Sequence, residues 1–443
     1  MSIEEIYEIY KQHPVVTTDT RQCEPGAMFF ALKGASFDGN AYASKALEAG
    51  CAYAVVDEKE YAVEGDKRYI LVDDVLSALQ QLAAHHRQQL AIPVLQITGT
   101  NGKTTTKELV SAVLSKKYNT LFTQGNLNNH IGVPRTLLRI GAEHEMAVVE
   151  TGANHPGEIE FLCRMVKADY GLVTNVGRAH LEGFGSFDGV KKTKGELYDD
   201  LRQRGKKIFL NAIDENLYSM ANERYGDLSD AISAGVVIPY VEGRVEDCSS
   251  FLAIQWKEDV DQPWHSVQTN LVGAYNIANI RAAVTVGLYF GVPAEQIDVA
   301  LAEYRPTNSR SEFRDTGMNK LIVDAYNANP TSMNAALDNF QFVNAERKMV
   351  ILGMMGELGE ASEQEHRSIL GRLLDMKLGK TWLVGGEFQK IVTDDILQHH
   401  PSLRVFASVD DVKSHLQAEP LEGYTILVKG SNSQKLFQLP ELL

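Results

Sequence analysis

The chain has 443 residues, of which 44% are hydrophobic and 23% are charged, a balance typical of a globular protein with two to three domains. Its formal net charge of -15 argues against a nucleic-acid partner, because phosphate backbones are bound by clustered lysines and arginines. No apolar stretch is long enough to cross a bilayer and the N-terminus, "MSIEEIYEIY", is acidic, so we expect a cytoplasmic protein without membrane insertion.

The first segment, residues 1–85, reads as a small α/β domain. Short apolar runs, Met28 to Leu32 and Ala52 to Val56, alternate with Gly and Asp, which favour turns. The segment leads into "DDVLSALQQLAAHHRQQL", whose apolar residues recur at helical spacing.

The middle segment, residues 86–310, predicts a parallel sheet. Candidate strands are "VLQIT" (94–98), "MAVVET" (146–151), "YGLVTNV" (170–176) and "KKIFLNA" (206–212). Helix-length segments separate them, as parallel strands require. A polar, strand-rich stretch over 233–272 interrupts this pattern, and a long amphipathic helix is predicted over 274–291.

The last segment, residues 311–443, predicts a second parallel sheet of Rossmann-like type. Four apolar runs each end in a turn that should lead into a helix: "LIVDAYNANP", "VILGMMGELG", "WLVGGEFQK" and "TILVKGSNSQ". Loops at the carboxyl ends of such strands form the binding face. The predicted fold is therefore α/β with three domains, in which a central phosphate-loop domain lies between a small N-terminal domain and a Rossmann-like C-terminal domain.

The stretch "QITGTNGKTTTKELV" predicts a phosphate-binding loop between a strand and a helix. Backbone N–H groups of Gly99, Thr100, Asn101 and Gly102 would face an anion at the helix N-terminus. Lys103 would reach the β and γ phosphates and Thr104, followed by Thr105, would contact Mg²⁺. The strict Walker pattern has glycine where this chain has Ile97, so the loop is a tighter variant; a glycine turn with a solvated lysine is the alternative.

Three further side chains are candidates for the same sheet edge. Glu150 ends a strand, where a magnesium ligand or an ordinary surface glutamate would both fit. His180 follows another strand, and an isolated histidine is more often structural. Lys194 follows Lys191 and Lys192, which we expect to lower its pKa, although a plain basic helix face is the alternative.

Seven motifs together resemble the Mur ligases of bacterial cell-wall synthesis. They are, in chain order, "GTNGKTTTKE", "ETGANHPGEI", "NVGRAHLEGFGS", "KKTKGEL", "GAYNIAN", "DAYNANPTSM" and "LVKGSNS". Within that family, "GNLNNHIGVPRTLL" with "DAYNANPTSM" resembles the member that joins D-alanyl-D-alanine to UDP-N-acetylmuramoyl-tripeptide. The resemblance implies that ATP phosphorylates the terminal carboxylate of the muramoyl peptide and that the dipeptide amine then attacks the acyl phosphate.

The resemblance also implies cofactors, namely ATP and Mg²⁺. Thr104 and Glu150 match ligands of a first Mg²⁺, and His180 and Lys194 match a second site. A free ammonium cannot bind a cation, so the family pattern implies that CO₂ carbamylates Lys194. Lys103, Glu150, His180 and Lys194 are then the expected catalytic residues.

For the nucleotide, the resemblance implies contacts from two domains. Asn279 matches the asparagine that contacts adenine, and Arg310 and Asp324 match positions near the ribose and phosphates. Because these residues flank the predicted boundary at 311, closure of the third domain onto the second would complete the site.

For the other substrates, the resemblance implies contacts in all three domains. We expect the protein to be a monomer. Candidates for the UDP end are Arg21 and Lys33; candidates for the peptide, or for capping a loop, are Asn126, Asn128 and Asn129; candidates for the dipeptide are Tyr326, Asn327, Lys429 and Ser431. Asn432 stands where many relatives have arginine, which leaves open how the dipeptide carboxylate is bound.

Three other functions are alternatives to this one. Another amide ligase of the family, which adds diaminopimelate, lysine or glutamate, would share the ATP site, and "DAYNANP" is the feature that argues against it. A phosphate-loop switch or motor would hydrolyse ATP without muramoyl peptide and would not explain Lys194. A nucleotide-binding protein without catalysis would tolerate replacement of Lys103 by Ala.

Overall fold

The computed structural model describes residues 1–307 and 310–443. It is an α/β molecule with separate sheets in the regions predicted as three domains. None of the helices in these residues combines the length and apolar character that crossing a bilayer requires.

The first region holds a small parallel sheet in the order β1-β2-β5-β6 and an antiparallel hairpin, β3-β4. Its elements are α1 (Ile3–Gln12), β1 (Val16–Thr17), β2 (Met28–Phe30), β3 (Lys33–Gly34), β4 (Phe37–Asp38), α2 (Ala43–Glu48), β5 (Tyr53–Val56), β6 (Tyr69–Leu71) and α3 (Val75–Gln89). The Asp74 side chain caps α3 by accepting a hydrogen bond from the Ser77 N–H at 2.7 Å.

The middle region holds a parallel sheet in the order β12-β11-β10-β7-β9-β8 and a smaller antiparallel sheet, β13-β14-β15. Its elements are β7 (Val94–Thr98), α4 (Lys103–Leu114), β8 (Thr120–Phe122), α5 (Gly132–Leu137), β9 (Met146–Glu150), α6 (Glu158–Val166), β10 (Tyr170–Val173), α7 (Leu181–Phe184), α8 (Phe187–Gln203), β11 (Lys207–Leu210), α9 (Glu215–Tyr225), α10 (Leu228–Ser233), β12 (Val237–Pro239), β13 (Glu242–Asp247), β14 (Ala253–Lys257), β15 (His265–Gln268), α11 (Ile277–Tyr289) and α12 (Ala294–Glu303). Every residue of β7 and β9 is buried, as expected for central strands covered on both faces.

The last region holds a sheet in the order β16-β17-β21-β18-β19-β20, parallel except for the antiparallel edge strand β16. Its elements are β16 (Glu312–Asp315), β17 (Lys320–Asp324), α13 (Pro330–Phe342), β18 (Lys348–Gly353), α14 (Ser362–Asp375), β19 (Lys380–Val384), α15 (Gly386–Ile391), α16 (Asp394–His399), β20 (Leu403–Phe406), α17 (Val409–Ala418) and β21 (Thr425–Lys429).

The sequence prediction for this last region was wrong in one respect. We expected a helix after each of the four apolar runs, and α13, α14 and α15 follow the first three. After β21 the chain instead forms 3-10 turns at Asn432–Gln434, Leu436–Gln438 and Pro440–Leu442. Pro440 lacks the N–H that a continuing helix needs, and the apolar side chains of Leu436, Leu439 and Leu443 pack into the core against the sheet. Strands β16 and β20 were not predicted.

The first and middle regions share one continuous hydrophobic core. Leu79 and Leu82 of α3 belong to the same buried cluster as Leu137 of α5 and Leu162 of α6. Helix α3 runs through residue 85, where the sequence suggested a boundary, so this helix joins the two regions by packing. The division into domains at 85 and 310 remains a prediction.

Gly171 of β10 lies where the middle sheet packs against α8, the helix that carries Lys194. A Cβ at Gly171 would lie 2.5 Å from Leu201 Cδ1, a side chain of α8. Gly171→Val should therefore lower the free energy of unfolding by about 1–3 kcal/mol through overpacking, as measured by denaturant titration.

The matched control is Gly371→Ala in α14. Gly371 is exposed, and among the described residues no neighbouring atom lies within 4 Å of a Cβ built there. This substitution should leave stability unchanged or raise it by up to about 1 kcal/mol. Equal losses in the two variants would contradict tight packing of α8 on β10.

Candidate active site

The predicted phosphate loop joins β7 to α4 and is held by the end of the neighbouring strand β10. Gly99 and Gly102 have positive φ values of 144° and 77°. A Cβ at Gly99 would lie 2.0 Å from Thr174 Oγ1, and one at Gly102 would lie 2.6 Å from Asn279 Oδ1. The loop therefore requires glycine at both positions, for backbone conformation and for close packing.

The Lys103 ammonium folds back over this loop. Its Nζ donates hydrogen bonds to the carbonyls of Gly99 at 2.9 Å and Thr100 at 3.0 Å. Burial lowers the pKa of Lys103 to about 8, the nearby Glu150 carboxylate opposes that shift, and Arg310 adds to it. The loop thus places a cation at the N-terminus of a helix, where an anion is favoured.

Thr104 and Glu150 present buried oxygen atoms that suit a divalent cation. Glu150 Oε1 accepts a hydrogen bond from Asn128 Nδ2 at 2.7 Å. Neither Glu150 Oε2 nor Thr104 Oγ1 has a hydrogen-bond partner within the part of the chain that the structure describes. Buried polar atoms usually have partners, and hydroxyl and carboxylate oxygens are ligands that Mg²⁺ accepts, so the pair fits the predicted ion.

Lys194 projects from α8 into the same neighbourhood and is 2% exposed. Its Nζ donates a hydrogen bond to the Ala153 carbonyl at 3.2 Å and lies 5.2 Å from the centre of the Phe184 ring. Burial lowers the pKa of Lys194 to about 7, and the charge of Lys103 adds to the effect, while Glu158 and Glu196 oppose it.

The cause of this shift corrects the sequence interpretation. Lys191 and Lys192 were expected to lower the pKa of Lys194, but the charge that does so belongs to Lys103, in another part of the chain. Lys191 instead lies 5.3 Å from the Phe187 ring centre, and Lys192 is exposed on the opposite face of α8 from the buried Lys194.

His180 lies beside Lys103 and Lys194 but contacts the third region. Its Nδ1 contacts the carboxylate of Glu357, and both residues have left-handed backbone conformations, with φ values of 51° and 60°. Burial lowers the pKa of His180, although Glu357 opposes this shift. Three predicted site residues that can carry positive charge thus meet in one place.

The residues predicted to contact the nucleotide come together as well. Asn279 packs against Gly102, and its side chain accepts a hydrogen bond from Thr106 Oγ1 at 3.0 Å and donates one to Asn276 Oδ1 at 2.8 Å. The Arg310 guanidinium lies 3.8 Å from the centre of the Tyr326 ring. Asp324 ends β17 and forms an ion pair with the buried Lys429, which ends β21 beside it.

One cavity of about 1040 Å³ brings most of the predicted residues to a common space. The members that line it are Thr100, Asn101, Gly102, Lys103, Thr105, Asn128, Asn129, Glu150, His180, Asn279, Arg310, Asp324, Tyr326, Asn327 and Lys429. Its lining also includes Gln80 of α3, so all three regions contribute. The volume suits a large, extended ligand.

Other predicted residues lie outside this lining. Arg21 is exposed and pairs with Asp19 at 2.7 Å, and Lys33 pairs with Asp57 at 2.9 Å and Glu58 at 2.7 Å. Asn126 is exposed on the loop before α5. Ser431 is buried, and its hydroxyl contacts Ser433 Oγ at 2.9 Å.

Two of the loop asparagines have structural partners. Asn128 orients Glu150, as described above, and Asn129 Oδ1 accepts hydrogen bonds from the N–H groups of Ile131 and Gly132, at 3.1 Å and 2.9 Å, at the start of α5. Asn129 therefore caps the loop before α5 and also lines the cavity, where it can contact a ligand.

Sequence reasoning missed three residues that shape the site. Asn175 fixes the loop backbone by accepting from the Asn101 N–H at 3.0 Å, Glu357 contacts His180, and Asn329 contacts Asn101. A signal existed for Asn329 alone, since Asn followed by Pro is typical of a helix start. Among residues 1–307 and 310–443, no three His, Cys, Asp or Glu side chains form a ready metal cage.

The lowered pKa of Lys194 predicts how stability changes with pH. Between its folded pKa of about 7 and the ordinary value of 10.5, the unfolded chain binds a proton at this lysine that the folded chain does not. Lys194 therefore makes the free energy of unfolding rise with pH across this window. In ligand-free, CO₂-free buffer, Lys194→Met should show a smaller rise between about pH 7 and about pH 10 than the unchanged protein.

The measurement is urea unfolding at both pH values, with Lys192→Met as the control because it removes an exposed lysine of the same helix. If Lys194→Met and Lys192→Met show the same rise, the lowered pKa of Lys194 is refuted.

Comparison with known proteins supplies the family. Three family models match the chain: "Mur ligase family, catalytic domain" over residues 14–87, "Mur ligase middle domain" over 97–287 and "Mur ligase, glutamate ligase domain" over 309–432. Two similar proteins are named UDP-N-acetylmuramoyl-tripeptide--D-alanyl-D-alanine ligase. The one from Bacillus subtilis is 33% identical over 96% of this chain and 92% of its own length, and the one from Escherichia coli is 35% identical over 97% and 93%.

Solved structures agree with this assignment. A crystal structure of MurF from Acinetobacter baumannii is 31% identical, covers 96% of this chain and 92% of its own, and has a TM-score of 0.81. MurF ligase from Thermotoga maritima, solved in complex with ADP, shares the fold at 23% identity with a TM-score of 0.80, over 97% of this chain and 96% of its own. With its motifs in order, its cavity formed by all three regions and its relatives matched along nearly their whole length, the chain belongs to the Mur ligase family.

Proposed function

We propose that the protein is an ATP-dependent ligase that joins D-alanyl-D-alanine to UDP-N-acetylmuramoyl-tripeptide in the synthesis of peptidoglycan precursors in the cytoplasm. The products are the UDP-muramoyl pentapeptide, ADP and phosphate. The observation that carries the proposal is the shared cavity, in which the phosphate loop, a buried carboxylate and side chains of the third region face one space. The names of the similar Bacillus subtilis and Escherichia coli proteins support the choice of substrates.

The chemistry places two anions in contact, because a carboxylate must attack the γ-phosphate of ATP. Such a reaction needs concentrated positive charge in a site that excludes water. Lys103 lies at the helix N-terminus that would face the phosphates, and Arg310 is close enough to influence its charge. We assign Lys103 to the β and γ phosphates, and Arg310 with Asp324 to the ribose and phosphate side.

Thr104 and Glu150 are the residues that would hold a first Mg²⁺, through the two oxygen atoms that lack partners among the described residues. When bound, Mg²⁺ supplies charge that offsets the repulsion between the phosphates and the incoming carboxylate. Asn128 keeps one Glu150 oxygen engaged, which leaves the other directed at the ion site. His180 and Lys194 are our candidates for a second ion.

Lys194 can coordinate a metal ion only after its amine has been modified. A neutral lysine amine adds to CO₂, forms a carbamate and releases one proton, which converts the neutral amine into an anionic oxygen ligand. A pKa near 7 keeps a large share of the amine neutral at physiological pH, which favours this reaction. Burial beside Lys103 would then favour the anionic product, because it lies next to a positive charge.

The acceptor dipeptide is assigned to the third region. Tyr326, Asn327 and Lys429 are third-region residues that line the cavity, and Ser431 follows Lys429 after the end of β21. Lys429 forms an ion pair with Asp324. We therefore assign two roles to Lys429, which are to orient Asp324 and to contact the dipeptide. Asn279 is our candidate for adenine, and Arg21 and Lys33 for the UDP end.

An omission assay tests the proposed reaction. Phosphate release should require ATP, UDP-muramoyl tripeptide and D-alanyl-D-alanine together, and mass spectrometry should show a product heavier by one dipeptide less one water. Lys103→Met should lower kcat/KM by at least about a hundredfold, because the lost cation acts on charge that develops in the transition state.

Lys116→Met is the matched control, since Lys116 is a surface lysine that follows α4 and pairs with Glu303. It should keep the activity of the unchanged protein. Phosphate release that continues without the dipeptide, or a product of unchanged mass, would reject the proposed reaction.

Carbamylation of Lys194 has its own test. Protein equilibrated with ¹³C-labelled bicarbonate should show one carbamate carbon signal by NMR, and Lys194→Arg should lack it, because a guanidinium stays protonated. Lys192→Arg is the control that should keep the signal. A protein whose signal is the same with and without Lys194 would show that this lysine is not the modified group.

A further inference from the structure

The start of α13 in the third region lies directly on the phosphate loop of the middle region. Asn329 is the N-cap of α13, because its Oδ1 accepts a hydrogen bond from the Ser332 N–H at 2.9 Å. The same side chain donates through Nδ2 to Asn101 Oδ1 at 2.8 Å, and Asn101 Nδ2 lies 3.4 Å from Asn329 Oδ1. One side chain therefore both begins a helix and joins two regions that are 228 residues apart in sequence.

The backbone of Asn101 is already fixed from the other side. Its N–H donates to Asn175 Oδ1 at 3.0 Å, and its carbonyl accepts from Thr174 Oγ1 at 2.6 Å and from Asn175 Nδ2 at 2.9 Å. These bonds leave only the side-chain amide to reach across to Asn329. Asn329 is 3% exposed, so water cannot readily replace this contact.

A second set of contacts seats the same helix start on the loop after β10. Thr331 Oγ1 accepts a hydrogen bond from the Arg178 N–H at 3.2 Å, and Arg178 Nη1 lies 3.0 Å from Glu365 Oε1 of α14. A Cβ at Gly177 would lie 3.0 Å from Thr331 Oγ1, so this approach is close. The first turn of α13 thus rests between two loops that follow parallel strands of the middle sheet.

The contact of the first turn of α13 with these two loops sets the width of the cavity. Asp324 ends β17, Tyr326 lies on the short segment that leads from β17 to Asn329, and both residues line the cavity. Their distance from Lys103 therefore depends on where α13 begins relative to the phosphate loop. A displacement of about 1 Å between reacting groups can cost a hundredfold in rate.

We propose that Asn329 is a positioning residue, which acts through Asn101 to hold the third region on the phosphate loop so that the acceptor side of the cavity faces the phosphates. The inference rests on the proposed function for its effect on catalysis, but the contact itself does not depend on it. We name the Asn101–Asn329 pair the amide clamp.

The test uses Asn329→Ser in the full chain. Serine caps a helix about as well as asparagine but is too short to reach Asn101. The clamp predicts that kcat falls by at least about tenfold while the affinity for a fluorescent ATP analogue stays within about threefold. Asn329→Ala, which loses the cap as well, should add a loss of stability to the same kinetic defect.

Hydrogen exchange of the ligand-free protein separates the clamp from a simple capping role. In Asn329→Ser, amides of residues 97–106 in the middle region should exchange faster than in the unchanged protein. Ser408→Ala, which removes the N-cap of α17 elsewhere in the third region, should leave exchange in 97–106 unchanged. Unaltered exchange of 97–106 in Asn329→Ser would overturn the clamp.

A double-mutant cycle completes the test. Asn101→Ser should produce the same faster exchange, and Asn101→Ser with Asn329→Ser should be no worse than either single variant, because one shared contact can be lost only once. Independent, additive effects on exchange would overturn the pairing, and a kcat within twofold of the unchanged protein in Asn329→Ser would overturn the positioning role. If the unchanged protein forms no pentapeptide, the proposed function fails, while exchange still decides whether the clamp exists.

Discussion

Repulsion between like charges is the constraint on which this structure depends. Burial lowers the pKa of both Lys103 and Lys194; the charge of Lys103 adds to this effect at Lys194, and the charge of Arg310 adds to it at Lys103. Such a cluster opposes folding unless other terms offset it. The backbone carbonyls of Gly99, Thr100 and Ala153 accept hydrogen bonds from the two ammonium groups and keep the cluster in place. The positive charges of Lys103 and Arg310 suit the binding of a triphosphate and a carboxylate, which are both negatively charged.

The arrangement of the sheets explains how these groups meet. Gly99 follows β7, Glu150 ends β9 and Asn175 follows β10, so one edge of the middle sheet supplies the phosphate loop and its supports. The third sheet presents the ends of β17 and β21, with Asp324 and Lys429, towards the same cavity. Parallel strands bring their carboxyl ends to a common edge of the sheet. Here two such edges face one cavity, so the phosphate loop and the side chains of the third region belong to different sheets.

Local features of this site could be predicted from sequence because they depend on neighbours in the chain. The glycines at 99 and 102, Lys103 at the start of α4 and Glu150 at the end of β9 all follow from short patterns. The contacts between regions could not be predicted, since the partners of Asn101 and His180 lie far along the chain. For the same reason the sequence suggested Lys191 and Lys192 as the lysines that lower the pKa of Lys194, whereas burial lowers it and the distant Lys103 adds to the effect.

The secondary structure likewise includes elements that local sequence patterns predict and elements that they do not. Long buried strands such as β7, β9 and β18 were evident from apolar runs, whereas the short or half-buried edge strands β16 and β20 were not, because their sequences lack a continuous apolar run. The chain after β21 contains apolar residues but turns instead of forming a helix, since packing against the sheet and Pro440 decide its path. Tertiary packing, which cannot be inferred from a local sequence pattern, determines the edge strands β16 and β20 and the path of the chain after β21.

The central claim is that the buried cations allow a carboxylate to take phosphate from ATP before the new amide forms. Oxygen tracing tests it most directly, with UDP-muramoyl tripeptide that carries oxygen-18 in both oxygens of its terminal carboxyl group. One labelled oxygen should appear in each phosphate released, and the other should stay in the amide carbonyl of the product. Product formation with unlabelled phosphate would contradict the account.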